Sequence, residues 1–292
     1  MGKGKEAECP PPPGPSPPPY CEHDDGPPDA PPDCNQALSE QGVHTSTRYP
    51  IFPSVMNLHG SRLRWLSADL CGTTARERLF HVDFHTGLSA TGPLGARPGI
   101  VLRSGPSGKA SILGAGGWTS ASAATTRDPS PDSVILLPSL DPDGGADLVE
   151  ETMRGATTPA KDVLFRFNVE TGEKWIREEF VWELLDAGSG GDSKRRRFRL
   201  SRAGTRAPAG GKGGSSSKAE DSTVAMLRFN PTAHSLHYLQ LELLGIGRTG
   251  YLGQRWTLMT VLMALRLWML RVNLQAGAGG ASAGEKAHGL KS

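Results

Sequence analysis

The segment Trp256–Val272, WTLMTVLMALRLWMLRV, is apolar on nearly every side and rich in Leu, Met and Ala rather than in β-branched residues. It is too long for an ordinary strand and reads as a helix. A helix that is apolar all round has two homes, a protein interior or a bilayer. Insertion in a membrane meets two objections: about 17 apolar positions is the short limit for a span, and Arg266 near the middle costs about 3 kcal/mol against roughly −0.3 to −0.6 per Leu. Burial in a core has its own demand. At about 100° per residue, Arg255, Arg266 and Asn273 fall on one narrow stripe, where a buried arginine needs a carboxylate or carbonyl partner, or a place at the mouth of a barrel. The residues expected to fill such an interior are Trp256, Leu258, Leu262, Leu265 and Trp268.

Upstream of this helix, short runs rich in Val, Ile, Phe and Trp recur between turn residues, which is the pattern of a mainly β domain. Apolar residues first cluster at Tyr49–Leu58. Strands are expected at Leu63–Ala68, Arg78–His85, Gly99–Arg103, Ala110–Gly114, Ser133–Leu137, Val163–Val169, Lys174–Leu185, Arg196–Ser201, Thr223–Phe229 and Leu236–Leu244. Two hydrophilic stretches, Thr119–Pro131 and Ala187–Asp221, are too long and too rich in Gly and Ser for hairpin turns, and read as disordered insertions in one domain.

Composition matters most at the two ends. Residues 1–44 are dominated by Pro, Asp and Gly with almost no aliphatic side chain, so they cannot bury enough apolar surface to offset ordering entropy, and a disordered arm is expected there. The domain is then expected over 45–275, with a Gly- and Ala-rich disordered tail over 276–292. The net charge of +2 conceals an asymmetry: the arm holds Lys3 and Lys5 against eight acids, a net of −6, which leaves +8 for the body. Cys9, Cys21, Cys34 and Cys71 lack the close pairing of a zinc or redox motif, and no apolar secretory leader is visible. The expected location is the cytoplasm, with the membrane periphery and the nucleus as alternatives.

Many short strands followed by one apolar helix is the layout of the Tubby C-terminal-like superfamily, and the chain resembles its fungal, LURP-one-related branch. Three stretches carry the resemblance: PGIVLRSGPSGKASILGAGG (Pro98–Gly117), DVLFRFNVETGEKWIREEFVWEL (Asp162–Leu184) and LQLELLGIGRTGYLGQRWTLMTVLMALRLW (Leu239–Trp268). With the strands between them they cover most of residues 48–275, as a match of pattern and order rather than of an invariant motif. The resemblance implies a closed antiparallel barrel of about twelve strands threaded by the C-terminal helix. It also implies phosphoinositide or other membrane-lipid binding, although the head-group cations of Tubby proteins match no specific position here.

Several motifs have a bland and a sharp reading. Gly245, Gly247 and Gly250 spell GxGxxG before the helix, but a dinucleotide fold needs a further strand and an acid about twenty residues on, and Leu265–Gly284 has none. These glycines are expected to turn the chain into the helix. Ser107–Ala110 resembles the end of a phosphate loop but lacks its first glycine and its final hydroxyl, so it reads as a hairpin turn. His81, Asp83 and His85 alternate on one strand, where they form either a metal-binding face or, as expected here, a solvated polar face opposite buried Val82 and Phe84. Adjacent Glu178 and Glu179 point to opposite faces, the wrong geometry for a carboxylate pair. No catalytic residue, cofactor or metal is expected, and the chain is read as non-enzymatic.

Two segments suggest partners. Pro17, Pro18 and Tyr20 belong to a PPxY sequence, the polyproline ligand of WW domains. Lys194, Arg195, Arg196, Arg197, Arg199 and Arg202 form a basic run suited to anionic phospholipid or to nuclear import. No specific nucleic-acid partner is expected, and the chain is expected to be a monomer. The leading expectation is therefore a Tubby-like binding or scaffold module for anionic phospholipid. The alternatives are a tail-anchored membrane protein, whose helix spans the bilayer, and a WW-recruited adaptor.

Overall fold

A sheet whose every strand is apolar on one face can bury that face without a second sheet by rolling up, and closure also removes its edges. In the computed structural model twelve antiparallel strands do this, each pairing with its neighbours in the chain and β1 pairing with β12. They are β1 (Val55–Ser61), β2 (Arg64–Cys71), β3 (Arg78–His85), β4 (Gly99–Arg103), β5 (Ile112–Trp118), β6 (Ser133–Pro138), β7 (Leu148–Thr157), β8 (Val163–Thr171), β9 (Ile176–Leu185), β10 (Arg197–Arg202), β11 (Thr223–Phe229) and β12 (His237–Leu243). A short helix α1 (Gly245–Arg248) then leads into α2 (Gly253–Ala287). The structure describes residues 49–61, 64–89, 91–121, 132–140, 148–157, 163–185, 197–203, 222–230 and 236–287, with side chains on α2 described as far as residue 272. The chain divides after Thr45, one residue from the expected limit of the arm, and the whole barrel lies in the second unit. The arm, with Pro17, Pro18 and Tyr20, lies outside the described residues.

The twelve-stranded closure expected from the family resemblance is thus present, although only ten strands were legible as separate runs. The two that were missed are β1 and β7, and both break the alternation that marks a half-buried strand. In β1 the outward Asn57 is also buried, donating to the Gly72 carbonyl at 2.6 Å. In β7 the buried positions are Glu151 and Met153 among exposed polar neighbours, so its inward face carries a carboxylate.

The period of two is plain in β8, whereas β4, β5 and β6 are buried on both faces. Phe165, Phe167 and Val169 of β8 point inward while Arg166 and Asn168 are exposed. The inward side chains meet α2, whose buried run Trp256–Leu270 spans about 21 Å at 1.5 Å per residue, close to the length of a seven-residue strand. Trp256, Leu258 and Leu262 are fully buried and Leu265 nearly so, whereas Trp268 is half-buried, stacked on Tyr238 with ring centroids 4.9 Å apart. Helix and wall approach closely at Gly114 of β5, where a Cβ would lie 2.8 Å from Leu262 Cδ1 and 2.7 Å from the Leu136 carbonyl. No helix among the described residues is long and apolar enough to cross a membrane. The tail-anchor alternative loses its support, because its proposed span is the interior of the barrel. The helical backbone runs on to Ala287, past the expected limit at Gln275, where alanine's helix propensity works against intervening glycines.

Because the strands follow one another around the barrel, their connections alternate between two rims. The proximal rim is where α2 enters and carries the β2–β3, β4–β5, β6–β7, β8–β9 and β10–β11 connections. The distal rim carries the rest. On the outer surface the β3–β4 connection lies against the wall, burying Leu94 with Val101, Ala115, Val134 and Leu136 in a second, smaller core.

Candidate functional site

Exposed apolar side chains are unevenly placed. Of twelve large ones among the described residues, eight sit at the proximal rim: Ile51, Ile112, Leu140, Val149, Trp175, Ile176, Ile246 and Tyr251. The most aromatic part is built by two turns that touch. Gly172 N–H, in the β8–β9 turn, donates to the Leu252 carbonyl in the α1–α2 turn at 3.1 Å. Trp175 and Ile176 on the first turn are 47 % and 56 % exposed, and Tyr251 on the second is 71 % exposed. Trp175 has φ of 51°, and it is the only non-glycine among the described residues with a positive φ. An L-residue pays about 1–2 kcal/mol for that conformation, so the turn spends stability on holding a tryptophan in water. Exposed Arg76, Lys109, Lys174 and Arg248 stand in turns at or beside the same rim and carry no ion pair among the described residues.

Beneath this rim lies a buried ionic cluster that closes a gap in the wall. The β7–β8 ladder runs only from Arg154–Arg166 to Thr157–Val163, so the proximal halves of the two strands have no ladder between them. Glu151 of β7 and Glu170 of β8 border that opening. Arg255, from the first turn of α2 and 2 % exposed, reaches them from inside, with Nε 2.9 Å from Glu170 Oε2 and Nη2 3.6 Å from Glu151 Oε1. It also donates to the Pro138 carbonyl at 2.5 Å and to the Tyr49 hydroxyl at 3.4 Å. Arg177, half-exposed on β9, adds bonds to Glu151 at 2.6 Å and to Glu170 at 2.5 Å. Burial alone would push the Glu170 carboxyl up, but hydrogen bonds from Arg255 and Arg177 and the charge of Arg255 hold it below its ordinary value. Hydrogen bonds that Arg177 donates to Glu151 and then to Glu170 outweigh its desolvation and fix its charge more firmly than usual. The demand placed on the arginine stripe is met here by carboxylates and a carbonyl.

The basic run divides. Lys194, Arg195 and Arg196 lie outside the described residues, whereas Arg197, Arg199 and Arg202 belong to β10, the strand expected over Arg196–Ser201, which interrupts the expected insertion 187–221. The physical reason is in the run itself: Phe198 and Leu200 alternate with the arginines and are buried. Arg199 pairs with Glu183 at 2.8 Å and Arg202 with Glu178, which compromises them as a free cationic patch. Glu178, Glu179, Arg202 and Ala203 line a shallow open concavity.

His81, Asp83 and His85 do alternate outward, but the solvated face expected of them is corrected. His81 is buried beneath the β4–β5 hairpin, with its backbone N–H donating to the Gly105 carbonyl at 2.8 Å. Its ring nitrogens lie 3.2 Å from Asp69 Oδ1 and 3.1 Å from Asp83 Oδ1, while Arg78 donates to that same Asp69 oxygen and Arg103 holds the other oxygen of Asp83. His85 turns away to the Gly95 carbonyl at 2.7 Å. Among the described residues no group of three or more His, Cys, Asp or Glu is arranged to hold a metal ion. Ser107–Ala110 is a hairpin turn as expected, with Ala110 N–H bonded to the Ser107 carbonyl at 3.0 Å. Gly247, the middle glycine of GxGxxG, sits where a Cβ would meet the Val224 carbonyl at 2.3 Å, so its role is close packing of α1 on β11.

The rim patch was not found from sequence, because Trp175 and Tyr251 are brought together only by barrel closure. A tryptophan inside the hairpin turn GEKW was the available signal. Fold and site define a closed up-and-down barrel threaded by its own C-terminal helix, with an apolar, cation-bordered proximal rim. No family model, curated protein or solved structure matches the chain.

Proposed function

We propose that the barrel is a non-enzymatic binding module that docks its proximal rim on an anionic phospholipid surface. The observation that carries this reading is the grouping of exposed Trp175, Ile176 and Tyr251 at one rim, with Lys174 and Arg248 in or beside the same turns and Arg76 and Lys109 in other turns of that rim, none in an ion pair among the described residues. Trp and Tyr favour the boundary between hydrocarbon and head groups, since each has an apolar body and a polar tip. Each cation near an anionic bilayer contributes about 1 kcal/mol, and Glu77 and Glu173 in the same turns offset part of that. The resemblance to the Tubby C-terminal-like superfamily supports the same ligand class, and the protein is proposed as a member of its fungal, LURP-one-related branch. On this reading it works in the cytoplasm as a peripheral membrane protein. The basic run Lys194–Arg202 then supplies long-range attraction rather than the docking face.

The test is co-sedimentation of the full chain with phosphatidylcholine vesicles, with and without phosphatidylserine, at low and high salt. Binding should require phosphatidylserine and weaken as salt screens it. The triple substitution Trp175→Ser, Ile176→Ser, Tyr251→Ser should lower partitioning about tenfold or more, the effect of losing about 1.4 kcal/mol. A folded triple variant that pellets like the wild type would sink the rim as the docking face.

A further inference from the structure

Arg266 shares its helical stripe with Arg255 but none of its partners. It lies eleven residues further along α2, about 16 Å at 1.5 Å per residue, toward the distal rim. Its side chain is fully buried. Nε donates to Ser133 Oγ at 2.9 Å, and the guanidinium carbon lies 4.2 Å from the centre of the Trp118 ring. Nη1 and Nη2 have no hydrogen-bond partner, and no carboxylate is within ion-pairing distance among the described residues. Burial pushes the guanidinium down to about 9, so it is still a cation at neutral pH. Two kinds of deficit coincide on one group: orphaned donors and an uncompensated charge. A water molecule would repair the first and leave the second.

We propose that Arg266 holds a small inorganic anion of halide size, bound by Nη1 and Nη2 and enclosed where α2 passes β5 and β6. The size follows from the surroundings. Trp118 covers one face of the guanidinium, and Ile100 and Ile135 are buried near the root of the side chain, where a Cβ at Gly116 would lie 3.9 Å from Arg266 Cβ and 3.1 Å from Ile135 Cδ1, so the packed interior leaves no room for a bulky organic anion. A spherical ion needs no directed lone pairs and accepts from both orphaned nitrogens at once. This inference does not depend on the membrane reading, which concerns the opposite rim.

The experiment is thermal unfolding of the full chain in chloride, bromide or phosphate against gluconate at matched ionic strength, for the wild type and Arg266→Met. Expected is a melting temperature that rises with the logarithm of halide concentration in the wild type, as mass action requires, with that increment lost in Arg266→Met, whereas phosphate, too large for the site, should shift the two proteins alike. Identical halide responses of the two proteins would mean a water only and would overturn the proposal. Should the variant fail to fold, wild-type crystals grown in bromide decide alone. An anomalous peak in contact with Nη1 and Nη2 supports the site, and a site without one refutes it.

Discussion

Replacing Arg255 by Met should destabilise the barrel strongly, because it leaves Glu151 and Glu170 deprived of the cation that reaches them from inside. Both carboxylates are largely buried, with side chains 8 % and 14 % exposed, and the remaining cation, Arg177, is half in water. Removing one partner of a buried pair typically costs about 3–5 kcal/mol, and the retained Arg177 argues for the lower figure. At about 2–4 °C per kcal/mol for a domain of this size, 3 kcal/mol lowers the melting temperature by about 6–12 °C. Scanning calorimetry at neutral pH reads this directly. An acid titration adds a second signature. The depressed Glu170 carboxyl contributes stability above its ordinary value of 4.5 and loses it as pH falls through its lower folded value. The gap between wild type and Arg255→Met should therefore narrow as pH falls below that ordinary value. A variant that melts with the wild type at neutral pH would mean that the cluster is solvated and closes nothing. Arg266→Met is the control of opposite sign: in halide-free buffer, losing an unpaired buried charge should stabilise by about 1–4 kcal/mol.

Three further outcomes follow from geometry already described. Gly114→Val forces side-chain atoms into Leu262 and the Leu136 carbonyl, and overpacking of this kind should cost about 1–3 kcal/mol, measured by urea unfolding. Burial, and then the stacked His237, hold His59 below its ordinary value of 6.5. The folded protein therefore binds fewer protons than the unfolded chain as pH drops below 6.5, and stability falls there. His59→Gln should flatten that slope in melting temperature against pH, and an unchanged slope would refute the assignment. Lys194→Ser, Arg195→Ser and Arg196→Ser together should leave the melting temperature within about 1 °C, as solvated surface changes do, while reducing vesicle association most at low salt. An unaltered vesicle affinity would remove the basic run from the membrane reading.

What could be read in the sequence was whatever repeats locally. Arg78–His85, Gly99–Arg103 and Thr223–Phe229 were placed to the residue because each is a short apolar-rich run between clear turn signals. The helix was legible because seventeen residues that are apolar on nearly every side permit little else. β7 was not, since its inward Glu151 is tolerated only through cations donated by β9 and α2. Arg255 was recognised as needing a partner, yet its carboxylate Glu170 stands 85 residues away in the chain, a separation over which sequence pattern carries no register. The same stripe rule anticipated a partner for Arg266 and found only a hydroxyl and an aromatic face. The rim patch arises from closure itself, because turns that are remote in the chain become neighbours when the last strand meets the first.

That closure also fixes when the protein can fold. β1 has no partner on one side until β12 exists, and no strand has its interior filled until α2 has followed both. At synthesis rates of about 5–20 residues per second, roughly 10–40 s separate the appearance of β1 from that of α2. During that interval every inward Phe, Trp and Leu of the wall belongs to an open, curling sheet with two raw edges, so the nascent chain presents a large substrate for chaperones and for self-association. The same dependence makes the barrel indivisible. A chain stopped before Trp256 is not a smaller domain but a wall without contents, and the cell should handle it as loss of the whole protein.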